Sequence, residues 1–225
     1  GTRFQESLPL GNGRLGAMIF GGLEEEHLQL NDDTLTSSAA GADDLPLDVT
    51  KRFDEVEKLL RGRQYAEAAE IITKNWTGRS WPCYQPLGDL HITVARAADP
   101  DDYVRELDLK RAVATVRYTS SGIPYRREVF SSHPHQLIVI RLVASRYGAL
   151  FLKARLSSVH PTAVVDPADK LSVRMKGQAP GFALRRTLEW VEKRGEQWKY
   201  PEIWNADGTR KPGAKTVLYG SEVGG

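Results

Sequence analysis

Six short segments between residues 89 and 157 alternate polar and apolar side chains, and this alternation restricts the fold more than any other feature of the chain. A strand with one buried face has this period of two. Turn dipeptides such as Ser121-Gly122 and Tyr147-Gly148 separate the segments. Short strands at such regular spacing favour an antiparallel sandwich over an alternating α/β fold. The predicted strands are 89–95, 103–109, 112–119, 124–131, 136–144 and 149–157.

Weaker strand signals lie on both sides of this region. Gly21-Gly22 separates two apolar segments and predicts a hairpin between them. The polar stretch 192–213 is rich in Lys, Glu, Pro, Gly and Asn, and it predicts a long loop. The further predicted strands are 15–20, 25–31, 171–176, 184–191 and 217–219.

The period changes to that of a helix over residues 48–76. Asp48 is the predicted N-cap of a first helix and Gly62 its C-terminal stop. Tyr65, Ala69 and Ile72 repeat the helical spacing and predict a second helix. We therefore expect a helical hairpin inserted between strands.

Charge and cysteine content exclude several classes of protein. The chain has 225 residues, of which 31 are basic and 29 acidic, and its formal net charge is +2. This balance gives no electrostatic basis for binding nucleic acid or an anionic membrane. Cys83 is the only cysteine, so an internal disulfide is impossible. No run of about 18 apolar residues predicts a membrane-spanning helix, and no signal peptide is visible.

Four segments, in a fixed order and with fixed gaps, resemble the N-terminal domain of glycoside hydrolase family 95. The helical hairpin between the second and third segments fits the same pattern, and the resemblance extends from about Leu8 to Tyr219. The segments are LPLGNGRLGAM at 8–18, LQLNDDTL at 28–35, YQPLGDL at 84–90, and RREVFSSHP at 126–134 leading into QLIVIRL at 136–142.

The resemblance implies a fold and a parent activity. Members of that family are inverting exo-glycosidases, most of which remove α-1,2-linked L-fucose and some of which act on α-L-galactosides. Their N-terminal domain is a β-sandwich, and an (α/α)6 barrel that follows it carries the catalytic residues. The expected fold class is therefore mainly β: an antiparallel, supersandwich-like β-sandwich over residues 1–225, with a helical insertion at about 48–76 and truncation at the C-terminus before the barrel.

The same resemblance implies the role of this chain. We expect a non-catalytic domain that packs against and supports the catalytic barrel of an α-L-fucosidase-type enzyme, inactive on its own. No catalytic residue and no metal ligand are assigned, and no cofactor is implied because an inverting hydrolase needs only water, an acid and a base. The expected partners are the barrel itself and, in the parent enzyme, a fucosylated oligosaccharide. The parent protein is expected to be bacterial, and whether it is secreted or periplasmic is left open.

Polar residues crowd at the ends of two predicted strands, and we expect them to face the catalytic domain or the rim of its active site. Within this group, Asp32 and Asp33 precede Thr34 in a pattern typical of a turn in which an aspartate side chain bonds the backbone. A turn is favoured there over a sugar or metal contact. The group comprises Asn31, Asp32, Asp33, Thr34, Tyr84, Gln85 and Asp89.

Three aromatic residues in the predicted late loop, Trp198, Tyr200 and Trp204, are candidates for sugar contact. Aromatic rings stack on the apolar faces of sugars, although large aromatics in long loops more often pin those loops to a core. Packing is therefore the favoured interpretation. Glu24-Glu25-Glu26 is interpreted as a solvated turn.

The histidines are chemically suited to act as bases, but the sequence does not place them in a site. His91, His133 and His135 are candidates by residue type alone, and no third ligand near the last two suggests a metal site. His27 and His160 have no obvious partner in the sequence.

Two other functions stay open at this stage. A β-sandwich with exposed aromatics is also typical of a free-standing carbohydrate-binding module. A purely structural or oligomerising domain is the third possibility. The sequence leaves the oligomeric state and the cellular compartment undetermined.

Overall fold

The computed structural model describes residues 3–37, 48, 50–77, 82–94 and 100–220. The chain divides into two compact units. The first comprises Gly1–Leu35 with Tyr84–Ala179, and the second comprises Thr36–Cys83 with Pro180–Gly225.

Antiparallel strands form the first unit. The strands are β1 Leu8–Gly11, β2 Leu15–Ile19, β3 Glu25–Asp32, β4 Gly88–Val94, β5 Asp101–Asp108, β6 Val113–Ser120, β7 Ile123–Ser132, β8 Leu137–Ala144, β9 Leu152–Ser157, β10 Val164–Pro167 and β11 Val173–Lys176. A five-stranded sheet has the order β1-β2-β3-β4-β9, a four-stranded sheet has the order β5-β6-β7-β8, and β10 pairs with β11 in a separate hairpin.

The two larger sheets share a buried hydrophobic core. Ala17, Ile19 and Leu28 of the five-stranded sheet form one cluster with Ala114 and Val129 of the four-stranded sheet. Full burial of an aliphatic side chain of this kind stabilises a fold by about 1.5–3 kcal/mol. The predicted antiparallel β-sandwich is therefore confirmed. All six strands predicted between residues 89 and 157 are present, with ends that differ by at most three residues.

One acidic residue of the predicted solvated turn is instead in the interior. Glu26 is fully buried, and its carboxylate forms an ion pair with the equally buried guanidinium of Arg127. The prediction of a solvated turn was therefore wrong for Glu26. The alternation of β3 explains the burial, because Glu26 lies on the same face as Leu28.

The buried pair organises the turn between β2 and β3. The Glu26 carboxylate accepts the backbone N–H of Gly21 at 2.7 Å, and Arg127 donates to the carbonyl of Gly22 at 2.9 Å. Gly21 has φ +71°, and a side chain there would collide with Arg105. Only glycine fits this turn without strain.

The second unit contains the predicted helical hairpin. Helix α1 extends over Phe53–Arg61 and helix α2 over Tyr65–Asn75. Gly62 follows α1, as predicted. Asp48 does not cap α1, because the helix begins five residues later; instead its carboxylate accepts hydrogen bonds from Thr50 in a turn before the helix.

The later part of the second unit differs more from the prediction. Residues 184–191 were expected to continue a sheet, but helix α3 occupies Leu188–Lys193, and the Thr187 hydroxyl caps it by accepting the N–H of Trp190. This cap satisfies a backbone donor that a strand would have paired. The only strands of the second unit, among the residues that the structure describes, are β12 Phe182–Ala183 and β13 Val217–Leu218.

The predicted loop 192–213 is also partly ordered by local structure. Its first residues belong to α3, and a 3-10 helix follows at Gln197–Lys199. An isolated bridge then joins Trp204 to Arg210. The long-loop prediction is wrong for these positions because backbone hydrogen bonds and the burial of Trp204 fix the segment.

Candidate functional site

A row of polar side chains lies on the outer face of the five-stranded sheet. In β3 the residues Glu25, His27, Gln29 and Asn31 alternate with the inward-facing residues that build the core. Cross-strand pairing places Gln29 directly opposite Asp89 of β4. The outer face is thus a continuous polar surface carried by two rigid strands.

Two histidines on this surface have carboxylate partners. His27 Nε2 lies 2.7 Å from Asp89 Oδ1, and His91 Nδ1 lies 2.9 Å from Glu25 Oε1. The two imidazole rings are stacked with centroids 4.7 Å apart, and Phe20 stacks on the other face of His27. The hydrogen bond from His91 holds the pKa of Glu25 below its usual value. His27, which has no obvious partner in the sequence, is therefore paired.

Asp89, the partner of His27, also lines a groove of about 520 Å³. Such a volume lies within the range of about 300–1,000 Å³ that is typical of small-molecule sites. Four of the seven predicted polar candidates line it, which are Asn31, Tyr84, Gln85 and Asp89. The structure therefore brings together residues that are more than fifty positions apart in the sequence.

The polar atoms in the groove differ in how well they are satisfied. Asn31 Oδ1 is buried and has no hydrogen-bond partner among the described residues. Gln85 is also buried, and its backbone N–H donates to the Leu35 carbonyl at 2.9 Å. Tyr84 is 56% exposed at the rim. The groove lining thus includes a residue with an unsatisfied buried acceptor, Asn31, beside the accessible aromatic ring of Tyr84.

The other three polar candidates form a turn and are not among the lining residues. Asp32 Oδ1 accepts the N–H of Thr34 at 3.0 Å and its hydroxyl at 2.6 Å, while Arg14 Nε reaches Asp32 Oδ2 at 3.2 Å. The bond from the Thr34 hydroxyl is the main reason that the pKa of Asp32 is lowered. The predicted aspartate turn is confirmed, and Asp33 and Thr34 are exposed on it.

Sequence analysis missed several residues that line the groove. Gln29 was detectable in principle, because the alternation of β3 places it on the same face as Asn31. Phe4, Met18 and Val159 lie far from the polar clusters, and only the pairing of strands and loops brings them to this surface.

Two more histidines have structural partners. His160 Nε2 lies 2.8 Å from the carbonyl oxygen of Pro86, and it thereby ties the loop after β9 to the segment before β4. His135 Nδ1 lies 2.9 Å from Ser132 Oγ in the turn between β7 and β8. Neither contact assembles a catalytic group.

The late aromatic residues of the second unit are mostly packed. Tyr200 and Trp204 are 5% and 2% exposed and form a cluster with Val191 and Ile203. Sugar contact is therefore wrong for Tyr200 and Trp204, since burial leaves no ring face for a sugar. Trp198 is 48% exposed, with Lys199 Nζ 5.5 Å from its ring centroid, and sugar contact there stays a prediction.

The described residues of the groove supply amide, phenol and carboxylate groups that can form hydrogen bonds with a ligand. Asp89 is the one acidic residue among them, whereas glycoside hydrolysis by the usual route uses two carboxyl functions. Within the described ranges, no group of three or more His, Cys, Asp or Glu residues has an arrangement that could hold a metal ion. None of the helices in those ranges is long and apolar enough to cross a membrane.

The known proteins that this chain resembles are a glycosyl hydrolase domain family and several proteins named as fucosidases. The profile of the family described as "Glycosyl hydrolase family 65, N-terminal domain" matches residues 1–215. "Alpha-L-fucosidase 2" of Arabidopsis thaliana is 37% identical over 161 residues, which cover 68% of this chain and 18% of that protein.

Two fungal relatives match a similar part of the chain. "Probable alpha-fucosidase A" of Aspergillus niger is 31% identical over 145 residues, covering 60% of this chain and 18% of that protein. The protein of the same name from Aspergillus oryzae is 27% identical over 146 residues, covering 61% and 19%. The chain therefore spans less than a fifth of the length of each of these relatives.

Proposed function

Because this chain belongs to the family of glycosyl hydrolase family 65 N-terminal domains, we propose that it is the non-catalytic β-sandwich domain of an enzyme that hydrolyses α-L-fucosides. The observation that carries the proposal is the sequence identity of 27–37% to proteins named as fucosidases. The domain would support a separate catalytic domain, which in this proposal is the (α/α)6 barrel of a family 95 enzyme.

The distribution of the family 95 motifs supports this finer assignment. All four motifs lie in the first unit, and three of them contribute to one groove. The first motif supplies Met18, the second supplies Asn31, and the third supplies Tyr84 and Asp89. Residues that resemble one family over separate segments thus meet on one surface of the sandwich.

The exposed turn after β3 is the proposed contact with the catalytic domain. Arg14, Asp33 and Thr34 are exposed there, while internal hydrogen bonds to Asp32 fix the backbone. A rigid and exposed polar turn suits an interdomain contact, because forming that contact orders few additional groups.

Release of L-fucose from 2′-fucosyllactose tests the proposal. We expect release by the full-length protein that the gene encodes and none by the 225-residue chain alone. Activity in the chain alone would contradict the proposal and make Asp32, Asp33 and the histidines catalytic candidates.

The Asp33→Ala substitution tests the interdomain role of the turn. The melting temperature of the isolated chain should not change, because the Asp33 side chain is exposed, whereas that of the full-length protein should fall. Glu24→Ala, on another exposed turn, is the matched control and should change neither. Equal melting temperatures for wild-type and Asp33→Ala full-length protein would argue against this contact.

A further inference from the structure

We propose that the groove on the outer face of the five-stranded sheet binds a neutral saccharide without hydrolysing it. The groove is the one lined by Asn31, Tyr84, Gln85 and Asp89, together with Gln29 and Met18. This site would give the sandwich domain a binding function in addition to its proposed support of a catalytic domain.

The unsatisfied oxygen of Asn31 is the first reason to expect a ligand. A buried acceptor without a hydrogen bond costs about 1–3 kcal/mol, so native structures contain few of them. Asn31 Oδ1 is such an atom, and Asn31 is one of the residues that line the groove. A rotation of the Asn31 side chain toward the groove would let a ligand hydroxyl donate to this oxygen and remove the cost.

Other polar groups in the groove are also available for a ligand. Within the described part of the chain, the side chains of Gln29 and Tyr84 make no hydrogen bond, and Asp89 uses only Oδ1, in its contact with His27. An amide, a phenol and a carboxylate together supply both donors and acceptors. A sugar hydroxyl, which both donates and accepts, matches this set.

The charge of the lining selects against anionic ligands. Among the described residues that line the groove there is no lysine or arginine, and Asp89 is the one ionisable group besides the Tyr84 phenol. A phosphate or a carboxylate would find no cationic partner and would face the Asp89 carboxylate. A neutral ligand avoids this repulsion.

The apolar part of the lining fits the C–H faces of a sugar ring. Phe4 and Tyr84 are more than half exposed, and Met18 and Val159 add aliphatic surface. Concave sites of this kind combine apolar walls with a few fixed polar groups that orient the ligand. Aromatic rings and hydroxyl-bonding groups side by side are what a saccharide requires.

The site is built on rigid elements. Gln29 and Asn31 are on β3 and Asp89 is on β4, while His27, held between Phe20 and His91, fixes the orientation of the Asp89 carboxylate. Groups held in this way lose little freedom when a ligand binds. Gly16, directly opposite Asn31 on β2, has no side chain and keeps the groove open.

Titration of the 225-residue chain with 2′-fucosyllactose, lactose and L-fucose, followed by backbone amide chemical shifts, tests the inference. We expect millimolar sugar to shift the amides of residues 29–31 and 84–89. Binding of 2′-fucosyllactose alone would show that the fucosyl group is recognised, while equal binding of lactose would show a more general saccharide site. Either result supports the proposal.

Two variants connect the binding to the groove. Asn31→Leu removes the unsatisfied acceptor and should weaken binding about tenfold, the effect of one hydrogen bond of about 1.4 kcal/mol. Gly16→Val fills the groove without removing a polar group, and it should abolish binding. The Cβ of the new side chain has room there, because the atoms nearest to an added Cβ are 3.9 Å away, and thermal unfolding checks that the variant is folded. Thr93→Val, on the same sheet face outside the groove, is the control and should bind like wild type.

Three results would overturn the inference. They are no amide shift with any of the three sugars at millimolar concentration, shifts confined to another surface, and unchanged binding by both groove variants when each is folded. The outcome is independent of the proposed hydrolase role, because binding is measured on this chain and fucose release on the full-length protein.

Discussion

The outer face of the five-stranded sheet and the late segment 188–204 both contain residues that the sequence marks as candidates for sugar contact, but the two regions use them differently. On the sheet, Asn31, Tyr84 and Asp89 meet at an accessible groove. In the late segment, Tyr200 and Trp204 are buried in the core of the second unit. Residue type alone therefore does not distinguish recognition from packing.

The difference arises from how each backbone presents its side chains. A strand of a sandwich directs alternate residues to one face, so the backbone of β3 places Gln29 and Asn31 together on the outer face, where Gln29 is exposed and Asn31 is half-buried. In an irregular segment, the large apolar area of an aromatic ring favours burial, and the chain folds around it. The four predictions below test this contrast, from the largest expected effect to the smallest.

Glu26→Ala should have the largest effect, because it tests the inward face of the same strand that presents the groove. Removal of the Glu26 carboxylate leaves the Arg127 guanidinium buried without an ionic partner, which should lower the free energy of unfolding by about 3–5 kcal/mol. Chemical denaturation measures this change. Glu24→Ala, at an exposed neighbouring position, should cost less than about 0.5 kcal/mol. Similar losses for the two variants would contradict the buried pair.

Trp204→Ala should also destabilise the protein strongly, by about 3 kcal/mol. Loss of a buried aromatic usually costs about 3–5 kcal/mol, and the lower value is expected because the surrounding segment is irregular and relaxes into the space. Trp198→Ala is the matched control on an exposed ring and should cost under about 1 kcal/mol. A larger loss of stability for Trp198→Ala than for Trp204→Ala would contradict the assignment of Trp204 as the buried ring and Trp198 as the exposed one.

Asn31→Leu should leave the free energy of unfolding unchanged or raise it by up to about 1 kcal/mol. The side chain has an unsatisfied buried acceptor, so its replacement by an apolar group of similar size removes a cost rather than a bond. Thermal unfolding of the isolated chain measures the effect. A loss of more than about 2 kcal/mol would show that Asn31 is structural and would remove the basis for a ligand there.

The smallest effect concerns acid stability and involves both units. Hydrogen bonds from Arg141 to Glu128 and from Arg210 to Glu192 are the main reasons that the pKa of each carboxyl group is below its ordinary value of 4.5. Each folded-state carboxylate therefore contributes stability above pH 4.5, and the contribution is lost as the pH falls through its lowered pKa.

Unfolding of the Glu128→Gln and Glu192→Gln variants at several pH values checks this expectation. Each variant should lose less stability than wild type between pH 4.5 and the lowered pKa, because the titrating group is gone. A wild-type pH dependence in either variant would mean that the corresponding ion pair does not contribute.

Much of the sandwich was predictable because strand alternation is a local property. Strand β7 was predicted at 124–131 and extends over Ile123–Ser132, and the hairpin of α1 and α2 was expected from its helical period. The same rule, applied to charged residues, places Glu26 beside Leu28 and Arg127 beside Val129 on the inward face. That burial was missed because a run of three glutamates resembles a solvated turn.

The groove was predictable only in part. Asn31 and Asp89 were identified from their positions at strand ends, but their meeting depends on the register of β3 against β4. The partnership of His27 with Asp89 and the unsatisfied oxygen of Asn31 depend on distances that no sequence pattern gives. Helix α3 was missed because the cap at Thr187 was not recognised as one.

The central claim is that a catalytic domain depends on this chain. The most direct test is the rate at which the full-length protein lacking residues 1–225 releases fucose from 2′-fucosyllactose. The measurement compares this shortened protein alone with the same protein after the isolated chain is added. We predict little or no release without the chain and a large increase on its addition, while the chain alone releases none. A full rate from the shortened protein alone would contradict the proposed supporting role.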